Sequence, residues 1–264
     1  MKRTIYPAAV FCILLLLSAC GRPNNPSIGI IGGADGPTSI FITSPRGSTP
    51  KSPATQTPTP TPISLNIQRI VTSVDMDQDG LNDTDDILEG ARKDAENKPT
   101  YKDAYYSGGY PPDNEGVCTD VVWRAFKNAG YMLKDMVDED IRSNLDLYPR
   151  VAGKPDPNID FRRVKNLRVF FDRHAISLTT EIIPGDEENL SQWQAGDIVV
   201  FDDPFEHIAI LSDQRNQEGI PLLIHNAGPY TQENDMLLYW RDNLSPIIGH
   251  YRFPSEGWPQ NDGK

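Results

Sequence analysis

Cys118 stands where a segment with helical spacing of apolar residues begins. Positions 121, 122, 125, 126 and 129 are apolar, Gly130 is suited to end the helix, and a loop rich in Pro, Asp and Gly precedes it. The first turn of a helix offers unpaired backbone N–H groups and the positive end of the helix dipole, which favour a thiolate over a thiol. The pattern therefore predicts a nucleophilic Cys118, with Asp120 as a partner of the helix dipole and the N–H groups able to hold an oxyanion.

A nucleophilic cysteine needs a base, and the chain has four histidines. Turn residues separate three short apolar runs, 198–201, 207–211 and 221–225, which predict a meander of antiparallel strands. Because side chains alternate along a strand, His207 and His225 are expected side by side on the face that receives the Cys118 helix. His174 and His250 have no motif that places them, and we expect both to be non-catalytic.

Several of these motifs together resemble known bacterial families. The order Tyr-x-Gly-Gly, helix-borne Cys, Gly-Asp-Ile-Val-Val-Phe, His-Ile-Ala-Ile and Ile-His is similar to the NlpC-type cell-wall peptidases of the papain-like superfamily. The chain from about 87 to 253 resembles domain of unknown function 1287 more closely. The motifs that carry the closer resemblance are Gly116–Val122, Pro155–Val164, Trp193–Ile198, Ile224–Asn226 and Gly249–Phe253.

The resemblance implies an α+β, papain-like fold in which the helix bearing the cysteine packs on a small antiparallel sheet. It implies that Cys118 is the nucleophile, His207 the base and His225 the orienting group, with Asn226 as an alternative orienting residue. It further implies a cysteine amidohydrolase or peptidase acting on peptidoglycan peptides. The related peptidases show Asp-Cys-Ser at the nucleophile, whereas this chain has Val117-Cys118-Thr119, so the substrate is less well indicated than the catalytic type.

Three further side chains are candidates for substrate binding. Tyr106 is expected either to point its hydroxyl toward the site, as the tyrosine of the resembling peptidases does, or to pack internally. Arg162 and Arg163 lie in a polar segment, and guanidinium groups bind carboxylates, which wall peptides carry. The alternative for both arginines is an internal salt bridge.

The acidic segment 75–86 fits the calcium loop of EF-hand proteins, with oxygen donors at alternate positions and glycine at the sixth. A plausible helix follows it, and the last position is aspartate, as in dockerin-type loops. The alternative is a solvated acidic turn that caps the helix. The sequence predicts one structural Ca2+ held by Asp75, Asp77, Asp79, Leu81, Asp83 and Asp86.

The N-terminus predicts export and lipid anchoring. A short basic region and an apolar run end in Leu-Ser-Ala before Cys20, which resembles the lipobox of bacterial lipoproteins. We expect a signal peptide over 1–19, a tether over 20–70 that includes a Pro/Thr-rich stretch, and lipidation of Cys20 that holds the protein on the outer face of the cell membrane. Residues 28–42 resemble a stretch in the membrane subunit of sodium-pumping decarboxylases, without the membrane bundle that surrounds it there.

The other predicted segments of the chain are a calcium loop over 71–86, a cysteine hydrolase-like domain over 87–253 and a tail over 254–264. A net charge of −12 argues against a nucleic-acid partner, and no organic cofactor is indicated. Two other functions stay open, namely a non-hydrolytic acyltransferase that uses the same thiol and a calcium-stabilised binding lipoprotein without catalysis. A zinc site built from Cys118, His207 and His225 is a further alternative, although no Cys-x-x-Cys or His-Glu-x-x-His spacing supports it.

Overall fold

The computed structural model describes residues 27–31, 39–43, 65–151 and 153–255. The expected signal peptide, Cys20 and most of the tail lie outside the described residues, as do much of the tether and of the 28–42 motif. Within the described ranges, no helix has the length and apolar character needed to cross a membrane.

The domain mixes helices with an antiparallel sheet, as the sequence predicts. The helices are α1 (Asp83–Asn97), α2 (Cys118–Asn128), α3 (Leu133–Ser143), α4 (Val164–His174), α5 (Glu187–Leu190) and α6 (Leu237–Asn243), with 3-10 turns at Leu145–Leu147 and Asp160–Arg162. The strands are β1 (Ser27–Ile31), β2 (Ser39–Thr43), β3 (Thr100–Tyr101), β4 (Glu115–Gly116), β5 (Ile176–Ser177), β6 (Ile198–Phe201), β7 (His207–Arg215), β8 (Pro221–His225), β9 (Gln232–Asn234) and β10 (Ile247–Arg252).

Six strands form the central sheet in the order β5-β10-β6-β7-β8-β9, and every neighbouring pair is antiparallel. The predicted meander is β6-β7-β8 at its centre. β1 and β2 form a separate antiparallel pair, and β3 pairs with β4 in parallel. The sequence motifs thus locate the middle of the sheet, while the edge strands β5 and β9, of two and three residues, are too short to show a period.

Both faces of the sheet are buried, and alternate residues of each strand enter different cores. Ile208, Ile210 and Ile224 point into a cluster shared with α1–α4 and with Cys118, which we call the helical core. Ala209 and Leu223 point into a second cluster built with α6, which we call the tryptophan core because it holds Trp193 and Trp240. Burial on both faces explains why these strands are almost continuously apolar.

α1 and α2 pack unusually closely because glycine stands at their crossing. A Cβ at Gly90 would lie 2.6 Å from Cβ of Asn128 and 2.8 Å from Cα of Ala125. The turn after α2 needs glycine for another reason, since Gly130 has a φ of +79°. This packing holds the helix that begins at Cys118.

Segment 65–74 crosses the surface of the domain and is attached to it. Leu65 and Ile67 pack against the tryptophan core, and the amide of Ile70 donates to Oε1 of Gln194 over 3.1 Å. The tether expected to reach residue 70 therefore ends earlier, because these apolar side chains find partners on the domain. Likewise α1 begins at Asp83, inside the segment assigned to the calcium loop.

Candidate active site

Cys118 is the first residue of α2, as its sequence context predicts. Val117 caps the helix with an extended backbone, and its N–H donates to the carboxylate of Asp120 over 2.8 Å. Asp120 thus serves the helix start, as expected. The Cys118 side chain exposes no surface, and its sulfur is hydrogen-bonded to the backbone N–H groups of Ile208 and Thr119. The sulfur therefore contacts the peptide group that joins His207 to Ile208.

His207 and His225 form a hydrogen-bonded pair on the adjacent strands β7 and β8. Nε2 of His207 lies 2.7 Å from Nδ1 of His225, and Nε2 of His225 lies 3.0 Å from Oδ1 of Asn234. An amide oxygen only accepts, so His225 donates from Nε2 and, when neutral, accepts at Nδ1. His207 then donates from Nε2, which leaves its Nδ1 without a proton. This Nδ1 is buried and has no hydrogen-bond partner among the described residues.

The two imidazoles lie on the opposite face of the sheet from the one expected. The ring of His207 stacks on Trp240 with centroids 4.1 Å apart and planes 10° apart, so it belongs to the side of the tryptophan core. Ile208 is the β7 residue that points toward α2. The expectation that both histidines share the face receiving the helix is therefore wrong, because the strand alternation begins with His207 facing away. The thiol meets β7 at its backbone and is not hydrogen-bonded to His207.

Burial determines the protonation states of the site. It raises the pKa of the Cys118 thiol to about 12, and the carboxylates of Asp120 and Asp103 act in the same direction against two backbone hydrogen bonds. Burial lowers the pKa of His207 well below its usual value and that of His225 to about 4. The expected thiolate is thus absent from this closed form, in which desolvation outweighs the helix terminus. The resting pair is a thiol and a neutral imidazole.

Arg162 does not face a substrate. Its Nε and Nη2 each lie 2.8 Å from a carboxylate oxygen of Asp120, its Nη1 donates to the carbonyl of Ala104, and the side chain is 1% exposed. The prediction of a substrate-binding Arg162 is corrected in favour of the internal salt bridge. The guanidinium also lies 5.1 Å from the ring centre of Tyr106. The guanidinium neutralises the Asp120 carboxylate, two residues from Cys118.

The other two substrate-binding candidates have internal partners as well. Arg163 donates from Nη1 to the carbonyl of Arg150 and lies 3.1 Å from Oδ1 of Asp160, so it fastens a loop. The hydroxyl of Tyr106 donates to Glu115 over 2.9 Å, and burial with this bond raises its pKa to about 12. For Tyr106 and Arg163 the structure therefore favours the packing and salt-bridge alternatives over substrate contact.

Three other residues considered from the sequence have structural partners. Asn226 donates to the carbonyls of Pro99 and Gly116, so His225 and not Asn226 is the partner of His207. His250 lies between the carbonyl of Thr179, at 2.8 Å, and the carboxylate of Asp197, at 3.1 Å. His174 pairs with Asp140 at 3.1 Å. Sequence reasoning missed Asn234 and Trp240, which orient the two imidazoles and carry no motif.

The acidic loop brings three of its predicted ligands together. One carboxylate oxygen each from Asp75, Asp77 and Asp79 lies within 4.8 Å of the others, and this is the sole metal-compatible group among the described residues. The thiol and the two imidazoles form no such group, which argues against the zinc alternative. Asp83 differs from the expectation, because its oxygens accept from the Met76 amide, at 2.7 Å, and from the Tyr131 hydroxyl.

The fold and site define an α+β protein in which a buried helix-terminal cysteine contacts the backbone of a strand that carries one member of a buried histidine pair. The chain belongs to the family described as domain of unknown function DUF1287, whose model matches residues 88–253. It is similar to the uncharacterized protein YijF of Escherichia coli (strain K12), with 40% identity over 175 residues that cover 63% of this chain and 80% of that protein. No solved structure matches the chain.

Proposed function

We propose that the protein is a lipid-anchored, extracytoplasmic cysteine amidohydrolase or peptidase with a papain-like, NlpC-type fold, acting on peptidoglycan peptides. The observation that carries the proposal is the unprotonated, partnerless Nδ1 of His207 next to the peptide group that the Cys118 sulfur contacts. A buried imidazole nitrogen without a partner costs free energy, and this unpaired acceptor is suited to take a proton. We infer that the Cys118 thiol supplies this proton once the covering segment has moved, because in the closed form the two side chains lie on opposite faces of the sheet.

The proposed reaction uses the residues in fixed roles. Nδ1 of His207 takes the thiol proton while the sulfur attacks the amide carbonyl carbon, and backbone N–H groups at the start of α2 stabilise the oxyanion. The tetrahedral intermediate then collapses, His207 protonates the leaving amine, and a thioester remains on Cys118. Water, deprotonated by His207, hydrolyses the thioester and restores the thiol. His225 accepts the Nε2 hydrogen bond throughout and so stabilises the imidazolium.

The working form differs from the closed form in the access that it gives to the sulfur. Cys118 and His207 each expose no surface, so an acyl group reaches the thiol only after a covering segment moves. Movement that admits solvent dipoles or substrate also lowers the desolvation that keeps the thiol protonated. We therefore place proton transfer after substrate binding and not in the free enzyme.

The substrate class rests on location and resemblance. A lipidated Cys20 followed by a Pro/Thr-rich tether keeps a catalytic domain outside the cytoplasm and lets it reach into the cell wall. At ~3.1 Å per residue, the stretch 48–62 alone spans about 45 Å when extended. Peptide amides of the wall are the substrates within that reach that a thiol and an imidazole are equipped to cleave.

Digestion of purified cell wall, followed by mass spectrometry of the released fragments, tests the proposal. The wild type is expected to release new amine and carboxylate ends, whereas Cys118→Ala and His207→Ala release none. His174→Ala is the matched control, because this histidine pairs with Asp140 and should leave the products unchanged. Full activity of Cys118→Ala, with its folding verified by circular dichroism, would refute the proposal.

Complete burial of the thiol also favours a second candidate, acyl transfer to an amine instead of water. If the covering segment closes again over the thioester and a bound amine, bulk water is excluded and the amine can compete as nucleophile. Adding a small primary amine to the digestion separates the two reactions. A new amide in place of the free acid would indicate transfer.

A further inference from the structure

The acidic loop that precedes α1 has the backbone of a cation-binding turn. The carboxylates of Asp75, Asp77 and Asp79 converge within 4.8 Å, and Gly80 turns the chain at a φ of +99°. Amides of the loop point inward, and that of Gly80 donates to Oδ2 of Asp75 over 3.0 Å. Three carboxylates held this close repel one another unless a positive charge joins them.

A fourth carboxylate next to this cluster has no partner. Asp86 is 1% exposed, its Oδ2 makes no hydrogen bond among the described residues, and the charges that act on it most strongly are those of Asp79 and Asp77. Buried carboxylates are normally paired or bound to a metal, since an isolated one is expensive to desolvate. Asp86 stands at the twelfth position of the loop, where calcium-binding turns place a carboxylate ligand.

The loop is docked on the far end of the helix that carries Cys118. A Cβ at Gly130, just after α2, would lie 2.9 Å from Cβ of Asp77, and the hydroxyl of Tyr131 donates to Asp83. Asp83 also receives the Met76 amide, so it braces the loop from outside the carboxylate cluster. Any ion bound by the loop therefore connects segment 65–74, the start of α1 and the α2–α3 turn.

We propose that residues 75–86 bind one Ca2+ through Asp75, Asp77, Asp79, Asp86 and the backbone carbonyl of Leu81, and that the ion fastens segment 65–74 to the domain. Asp83 holds the loop in place through Tyr131 and is not itself a direct ligand. Calcium suits the site because it accepts many oxygen ligands in a flexible arrangement, whereas Mg2+ demands a tighter octahedron. The inference does not depend on the proposed catalytic activity.

Titration of the full-length chain in detergent, after treatment with a chelator, tests the site without any activity measurement. Calorimetry should give one Ca2+ per chain. At ten times the dissociation constant, the unfolding equilibrium shifts about elevenfold and the melting temperature rises by about 3–6 °C. The same concentration of Mg2+ should produce neither effect.

Two variants distinguish binding of Ca2+ by specific ligands from non-specific attraction of a cation to an acidic segment. Asp79→Asn removes a ligand charge and should weaken binding about tenfold or more. Asp85→Asn is the matched control, because this neighbouring carboxylate pairs with Arg69 and Asn82 and should leave binding unchanged. The proposal is overturned if the wild type shows no binding heat and no change in melting temperature, or if both variants weaken binding equally.

Discussion

Replacing Arg162 with alanine removes the cation of a buried ion pair close to Cys118. Asp120 would keep its hydrogen bonds from the Val117 amide, at 2.8 Å, and from Nε1 of Trp123, at 2.7 Å, but would lose both bonds from the guanidinium. The carboxylate is 0% exposed in the wild type, so it depends on protein donors for its hydrogen bonds. It stays as an uncompensated charge beside the start of α2.

The expected cost is large for a single substitution. Removing one partner of a buried pair typically costs about 3–5 kcal/mol in the free energy of unfolding. A domain of this size loses about 2–4 °C of melting temperature per kcal/mol, so Arg162→Ala should melt about 6–20 °C below the wild type. If Arg162 instead bound a substrate carboxylate, its loss would raise KM with little effect on stability.

Urea unfolding followed by tryptophan fluorescence measures this difference. Arg163→Ala is the control, because its side chain is 27% exposed and its ion pair with Asp160 should contribute about 1 kcal/mol or less. The double variant Asp120→Asn with Arg162→Met removes both charges and should recover part of the loss. A destabilisation by Arg162→Ala of less than 1 kcal/mol, or one equal to that of Arg163→Ala, would show that the buried pair does not support the helix start.

Other predictions concern the thiol, the imidazoles and the helix crossing. Burial raises the pKa of Cys118 to about 12, so the native protein should react slowly with iodoacetamide at pH 7.5 and faster as the pH rises. Labelling of Cys118→Ala gives the background. Rapid labelling of the native protein at neutral pH would contradict the closed site. The pKa of His225 is lowered from 6.5 to about 4, so the unfolded chain binds the proton more readily and stability falls as the pH drops through that window, by up to ~1.4 kcal/mol per pH unit. In urea titrations at several pH values, His225→Gln should lose less stability at acidic pH than the wild type. Equal losses in the two proteins would show that His225 is not the cause. In an exposed helix, a Gly→Ala change raises the free energy of unfolding by about 1 kcal/mol, yet Gly90→Ala should lower it by about 1–3 kcal/mol because the added methyl group meets α2. If urea unfolding shows that the variant is stabilised, the helices separate at little cost.

Short-range sequence patterns predicted the helix and strands that carry the site, because these elements are determined by residues close together in the chain. The apolar spacing after Cys118 predicted α2 and its buried face, and the turn residues around 195–221 predicted β6, β7 and β8. Both kinds of signal act over a few residues, where backbone geometry and side-chain period are closely linked. The two histidines that the meander brought together are the ones that share a hydrogen bond.

Long-range contacts account for what the sequence did not reveal. Arg162 is separated from Asp120 by 42 positions, and nothing near either residue marks their pairing. Trp240, which lies under His207, comes from a short helix after the meander. The period of β7 fixes which residues share a face, but not which face meets α2. Protonation depends on burial, which is a property of the complete fold.

The sealed position of the Cys118 sulfur has a consequence for the chemical lifetime of the protein. Oxidants and foreign disulfides attack the thiolate, and they need access to the sulfur. A protonated thiol with no exposed surface offers neither a thiolate nor access to the sulfur, even in a compartment that lacks the reductants of the cytoplasm. The same closure that delays the reaction with an acyl group would keep the Cys118 sulfur reduced at the cell surface, where we propose that the protein acts.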